Sequence, residues 1–135
     1  MIVFNYYEAE ITKSNPIGKI SLDRFLYSIK NPKKEIMDIF FKIEKAAAEG
    51  NKEEKARLKT KLFSFTPCVF VEGTRKYENI KKWTGLLALD FDKLPSNKYS
   101  IEWRNNIFNE YKFIIASWLS PSRMGVRALV KIPEV

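Results

Sequence analysis

The segment most informative about the fold is Thr84-Gly85-Leu86-Leu87-Ala88-Leu89-Asp90-Phe91-Asp92-Lys93. Its apolar run, residues 86–89, leads into two aspartates that a single residue separates. A short apolar run of this kind is typical of a strand at the centre of a sheet, and we expect such a strand over residues 84–92. Side chains alternate between the faces of a strand, so Asp90 and Asp92 are predicted to share one face.

Working outward from this strand, the pattern predicts a helix over residues 99–111 and strands over 113–119 and 126–132. Before it, we expect a strand over residues 68–72 and a helical turn over 79–83. Towards the N-terminus, the pattern predicts a strand over residues 2–7, a helix that begins after Ser21, and a helical hairpin insertion over 33–61. This order predicts an α+β fold, with a mixed or antiparallel sheet on which helices pack and an N-terminal helical hairpin.

Length and composition place the chain among globular proteins. Its 135 residues, 45% hydrophobic and 30% charged, are typical of a single domain, here residues 1–135. Because the last predicted strand lies at the end of the chain, one interpretation is that this is the N-terminal part of a longer domain. No apolar run is long enough for a membrane span and no signal peptide is recognisable, so we expect a cytoplasmic protein without membrane association.

The residue inventory excludes several chemistries. The chain has no histidine and one cysteine, Cys68, which excludes histidine-based catalysis and an intramolecular disulfide. Its net charge of +8 suggests a polyanionic partner such as nucleic acid. Arg75 and Lys76 are candidate nucleic-acid contacts on charge alone.

The two aspartates are candidate metal ligands. Two carboxylates on one strand face repel each other unless a cation or a proton lies between them, and Mg²⁺ or Mn²⁺ is a suitable cation. The alternative is that Asp90 ends the strand and Asp92 opens a turn, both in water.

A second candidate segment, residues 117–127, joins the last two predicted strands. It offers hydroxyl groups and guanidinium groups to a phosphate, from Ser120, Ser122, Arg123 and Arg127. The alternative is an ordinary hairpin loop with exposed arginines.

Together the two segments resemble the archaeo-eukaryotic primase superfamily, the primase-polymerases. Residues 67–132 are similar to the VirE N-terminal-like domain, through residues 70–73, Thr84-Gly85, the Asp-x-Asp strand and the Ser120 turn. The resemblance implies an RRM-like core in which Asp90 and Asp92 are catalytic metal ligands. It also implies that a dNTP or NTP is held by Ser120, Ser122, Arg123 and Arg127.

This sequence departs from the superfamily at two positions. Arg127 stands where the superfamily has the histidine of its second motif, and no third acidic motif is found. The resemblance therefore implies a primase-polymerase-like domain of a DNA replication or mobile-element protein that is incomplete or inactive alone, and leaves open whether it is an enzyme. Its expected partners are nucleic acid, DNA rather than RNA, and a helicase or C-terminal domain.

Two other functions stay open. One is a non-catalytic module on the same fold that binds nucleic acid or docks a helicase. The other is a phosphohydrolase of the haloacid dehalogenase type, in which an apolar strand also ends in Asp-x-Asp and the first aspartate is the nucleophile. The second option is an analogy of motif only, because Leu94 stands where that class has Thr or Val.

Overall fold

The computed structural model describes residues 1–8 and 14–133 and confirms the α+β class. The chain divides into two units, residues 1–84 and 85–135. The prediction of one domain over residues 1–135 stays a prediction, because two units can belong to one domain. Unit 1 contains β1 (Val3–Glu8), β2 (Gly18–Ser21), α1 (Leu22–Lys30), α2 (Lys34–Ala48), α3 (Lys52–Lys59), β3 (Phe63–Phe65), β4 (Val69–Val71) and β5 (Ile80–Trp83). Unit 2 contains β6 (Leu86–Phe91), α4 (Asn97–Glu110), β7 (Ile114–Leu119) and β8 (Val126–Lys131).

The strands of unit 1 form two small antiparallel sheets, in the orders β2-β1-β3 and β4-β5. The buried Asn5 side chain joins them, because its amide donates to Val71 O at 3.0 Å and accepts from Val71 N at 2.7 Å. Phe25 of α1 packs edge-on against Phe4 and Phe65, with ring centroids 5.3 and 4.7 Å apart. This aromatic contact fixes α1 on the first sheet.

The predicted helical hairpin is confirmed. Its two helices, α2 and α3, pack through the buried residues Ile43, Ala46 and Leu58. Asn51 begins α3 by accepting a hydrogen bond from Glu54 N at 3.1 Å, which is the role of an N-cap.

In unit 2, α4 packs on one antiparallel sheet in the order β6-β8-β7. The core contains Ile107 of α4 together with Ile114, Val126 and Ala128 of the sheet. Ser96 begins α4, since its hydroxyl accepts from Tyr99 N at 3.1 Å.

One predicted element and the predicted position of one strand are wrong. Residues 80–83 form strand β5 rather than a helical turn, because they pair with β4; the turn lies earlier, as a 3-10 turn over Tyr77–Asn79. The strand that contains Asp90 is not central: β6 lies at the edge of its sheet, and Leu87 and Ala88 are exposed. Apolar content indicated a strand correctly, but the order of strands depends on pairing that apolar content does not encode.

Candidate functional site

The pairing of β6 with β8 places an acidic side chain opposite a basic one. Asp90 and Arg127 are register partners, and Arg127 Nε lies 3.9 Å from Asp90 Oδ1. The side chains are 61% and 44% exposed respectively, so water screens their attraction and both remain accessible to a ligand. A carboxylate that can hold a cation and a guanidinium that can hold a phosphate therefore lie side by side.

Asp92 lies one residue past the end of β6, in the turn that follows. Its carboxylate accepts a hydrogen bond from Lys93 N at 3.1 Å, and Lys93 has a positive φ of 53°. Strand alternation therefore does not fix the direction of the Asp92 side chain. This local geometry agrees with the alternative given in the sequence analysis, in which Asp92 begins a turn.

The loop over residues 120–125 is attached to the same turn. Leu94 N donates to Met124 O at 2.8 Å, and the loop is closed by Ser120 N donating to Gly125 O at 2.9 Å. A side chain on Gly125 would place its Cβ 2.7 Å from Phe91 O, so only glycine allows the loop to approach the end of β6 this closely. We call Asp90, Asp92, Arg127 and loop 120–125 the β6–β8 corner.

The serine hydroxyls of this loop are directed into the protein. Ser120 and Ser122 are only 9% and 8% exposed, and their hydroxyl oxygens lie 3.4 Å apart. Ser122 Oγ also accepts from Met124 N at 3.4 Å. Both hydroxyls contribute to the loop's own structure, and their predicted role as nucleotide contacts stays a prediction.

Arg123 occupies the loop with a left-handed backbone, at φ 61°. Such a conformation is uncommon for a residue with a β-carbon and is typical of tight turns and binding loops. Arg123 lies in loop 120–125 and Arg127 in β8, which follows it, and their predicted role as nucleotide contacts stays a prediction.

The donor set of the corner suits a hard divalent cation only in part. Within the described residues, no group of three or more Asp, Glu, Cys or His side chains could hold a metal ion. Asp90 and Asp92 supply carboxylate oxygens, and Mg²⁺ commonly takes one or two of these and completes its shell with water and substrate phosphate. The residues fit a cation that arrives with a phosphate ligand better than one that binds alone.

The two remaining candidate residues lie in unit 1. Arg75 and Lys76 are exposed and directly precede the 3-10 turn. The Arg75 guanidinium lies 4.7 Å from the centroid of the Tyr7 ring, and Arg75 N donates to Ser14 O at 2.8 Å. Their role in binding nucleic acid stays a prediction.

Sequence reasoning missed two parts of the corner. It did not predict the hydrogen bond between Leu94 and Met124, since a backbone contact between loops has no residue pattern. It also did not predict that packing requires a glycine at position 125. A glycine next to the start of a strand can indicate that another part of the backbone approaches closely.

These features define an α+β protein with small antiparallel sheets and an acidic–basic corner at one sheet edge. The chain belongs to the BT4734-like family, because the model of the BT4734-like N-terminal domain matches residues 57–134. The matched range includes every residue of the β6–β8 corner as well as Arg75 and Lys76. This match overturns the sequence-based assignment to the VirE N-terminal-like domains and the primase superfamily, whose short motifs were not specific enough to distinguish families.

Comparisons with curated proteins and with solved structures each found no match. None of the helices in the described ranges, 1–8 and 14–133, has the length and apolar content that a membrane span requires.

Proposed function

We propose that the β6–β8 corner binds a nucleotide through its phosphates together with a divalent cation. The observation that carries this proposal is the register pairing of Asp90 with Arg127, with 3.9 Å between Oδ1 and Nε. Asp90 and Asp92 would hold the cation, which would offset the repulsion between their carboxylates and the phosphate. Arg127 and Arg123 supply guanidinium donors, whose fork geometry matches phosphate oxygens.

The proposed activity is binding rather than turnover by this chain alone. Two carboxylates with an arginine beside one of them can orient a triphosphate. A two-metal transfer reaction needs a denser set of ligands than the corner offers. A helicase partner or a further domain of a DNA replication or mobile-element protein is the proposed source of the missing groups. The cytoplasm is the proposed location.

The test is a titration with Mn²⁺ and a nucleoside triphosphate, followed by paramagnetic broadening of amide signals and by calorimetry. In the wild type, Mn²⁺ is expected to broaden signals around residues 90–94 and to strengthen nucleotide binding. Asp90→Asn/Asp92→Asn should abolish both effects. The matched control is Glu53→Gln/Glu54→Gln, which removes an equal charge from an acidic pair in the first turn of α3 and should change neither.

A second variant separates the cation from the phosphate. Arg127→Gln removes the guanidinium beside Asp90, so nucleotide affinity should fall while Mn²⁺ affinity is kept or increases, because a neighbouring positive charge has been removed. Equal nucleotide affinity in wild type and Asp90→Asn/Asp92→Asn would contradict the proposal. Hydrolysis of a phosphate monoester that is lost in Asp90→Asn would favour the phosphohydrolase alternative instead.

A second proposed function is nucleic-acid binding by unit 1. The specific observation is that Arg75 and Lys76 are exposed on a segment that also exposes Lys81 and Lys82. Clustered cations bind phosphate backbones with an affinity that falls as salt rises. Arg75→Ala/Lys76→Ala should weaken binding to DNA at low salt and make its salt dependence shallower, whereas an unchanged salt slope would contradict a role for this pair.

A further inference from the structure

The segment of residues 75–83 combines positive charge with exposed aromatic rings. It contains four basic residues and one acidic residue, Glu78, so its net charge is +3. Within the described residues, no ion pair engages Lys76, Lys81 or Lys82. In the described part of the chain, the charges of these three lysines are therefore not engaged in ion pairs, and Glu78 and the exposed Glu72 lie nearby in the sequence.

The segment also exposes a large aromatic side chain, that of Trp83. Its side chain is 64% exposed at the end of β5, where Val69 is its register partner. Lys82 and Thr84 line a cleft on one side of the strand, together with Phe70. Because neighbours on a strand alternate, the indole of Trp83 lies on the opposite side from that cleft.

An irregularity in β5 adds a further exposed lysine, Lys81, two residues before Trp83. Ile80 pairs with Val71 and Lys82 pairs with Phe70, so Lys81 is an extra residue without a register partner in β4. A β-bulge of this kind redirects a side chain and increases the local twist of the hairpin. Tyr77, 79% exposed, adds a second ring at the start of the segment.

From these observations we infer that the β4–β5 hairpin binds single-stranded nucleic acid, with a base stacked on the Trp83 indole and a phosphate on Lys81. The inference rests on the second proposed function and names its ligand class. Stacking on an aromatic side chain requires an unpaired base whose face is free, which a single strand has and a duplex lacks. An acidic peptide would satisfy the lysines but would offer no flat ring to the indole.

The experiment measures fluorescence anisotropy of a dye-labelled oligothymidylate, with a duplex of equal phosphate number in parallel, over a series of salt concentrations. Trp83→Ala should weaken single-strand binding about tenfold, with the salt slope unchanged. Trp83→Phe keeps an aromatic face and should restore part of the affinity. Phe41→Ala is the matched control, because it removes a similarly exposed ring from α2 and should have no effect.

Lys81 is tested by the slope of affinity against salt. Lys81→Ala should make the logarithmic slope shallower by about 0.7, which is the contribution of one lost phosphate contact on a single strand. Lys33→Ala is the matched control, because it removes an exposed lysine elsewhere in unit 1 and should leave the slope unchanged.

The outcomes separate this inference from the function on which it rests. Equal affinity for single strand and duplex that Trp83→Ala does not alter would overturn stacking and leave only nucleic-acid binding by charge. Absence of binding to either ligand at low salt would overturn both. Preferential single-strand binding that depends on Trp83 and on Lys81 is the expected result.

Discussion

At the scale of single residues, Gly125 determines whether the β6–β8 corner can form. An added Cβ would lie 2.7 Å from Phe91 O, and a backbone carbonyl in a paired strand cannot move away without disturbing the sheet. Gly125→Ala is expected to lower the free energy of unfolding by about 1–3 kcal/mol, measured by denaturant titration. Gly50→Ala is the comparison: nothing lies within 4 Å of its added Cβ, so only the strain of a positive φ of 70° remains. An unchanged free energy of unfolding in Gly125→Ala would contradict the steric argument.

Tyr7 carries a buried hydroxyl group without a hydrogen-bond partner among the described residues. Burying a hydroxyl group without a partner costs about 1–3 kcal/mol, so its removal should not destabilise the protein. Tyr7→Phe is therefore expected to leave the free energy of unfolding unchanged or to raise it by about 1 kcal/mol. Tyr27→Phe, at an exposed ring, is the control and should be neutral. A clear loss of stability in Tyr7→Phe would show that the hydroxyl does have a partner.

At the scale of elements, β6 is an edge strand with one well-buried leucine and one exposed one. Leu86 is 3% exposed, and its neighbour Leu87 is 44% exposed. Leu86→Ala should lower the free energy of unfolding by about 2–4 kcal/mol, and Leu87→Ala by less than about 1 kcal/mol. Chemical denaturation of both variants measures the difference. Equal losses in the two variants would contradict the edge position of β6 and support the central, fully buried strand that the sequence predicted.

Helix α3 contributes a pH-dependent stabilisation of the hairpin. Arg57 Nε donates to Glu54 Oε2 at 2.8 Å, and this hydrogen bond holds the pKa of Glu54 below its usual range. A lowered pKa in the folded state stabilises the protein at neutral pH, and the stabilisation is lost as the pH falls through that pKa. The difference in thermal stability between wild type and Glu54→Gln should therefore shrink from about pH 7 to about pH 3. Glu53→Gln is the control, and a difference that is independent of pH would contradict this account.

The sequence predicted elements well where local chemistry determines them. Ser21 was predicted to begin a helix, and its hydroxyl accepts from Arg24 N at 3.2 Å, as an N-cap requires. The helical hairpin followed in the same way from apolar residues at helical spacing. Strand β5 was missed, because residues 80–83 become a strand only through pairing with β4, and such long-range pairing overrides local preference.

At the scale of the whole molecule, the absence of histidine makes the charge insensitive to pH near neutrality. No side chain with an ordinary pKa between about 5.5 and 7 is present to titrate, so the side-chain charge of +8 persists over that range. The affinity for nucleic acid at fixed ionic strength should therefore be flat from about pH 5.5 to about pH 7. Anisotropy titrations in buffers of matched ionic strength test this. A steep change within the range would require a group with a strongly shifted pKa at the interface.

Only part of the candidate site could be predicted from sequence. Charge and spacing selected Asp90 and Arg127 separately, but their adjacency depends on the β6–β8 register, which no local pattern specifies. The burial of the Ser120 and Ser122 hydroxyls was not predictable either, because it results from the folding of the loop back on itself. Trp83 was overlooked because residues 79–83 were predicted as a helical turn, and its position at the end of β5 depends on pairing with β4.

The hydrogen bond from Leu94 N to Met124 O has a consequence for how a ligand would enter the β6–β8 corner. It joins the turn after Asp92 to the loop that carries Arg123, so the two segments are held together before any ligand arrives. A ligand that contacts both therefore meets a preorganised frame and does not have to order two independent loops, which reduces the entropy lost on binding. For the same reason, insertion of residues between Ser120 and Gly125 would displace the acidic turn as well as the arginine, and both halves of the corner would change together.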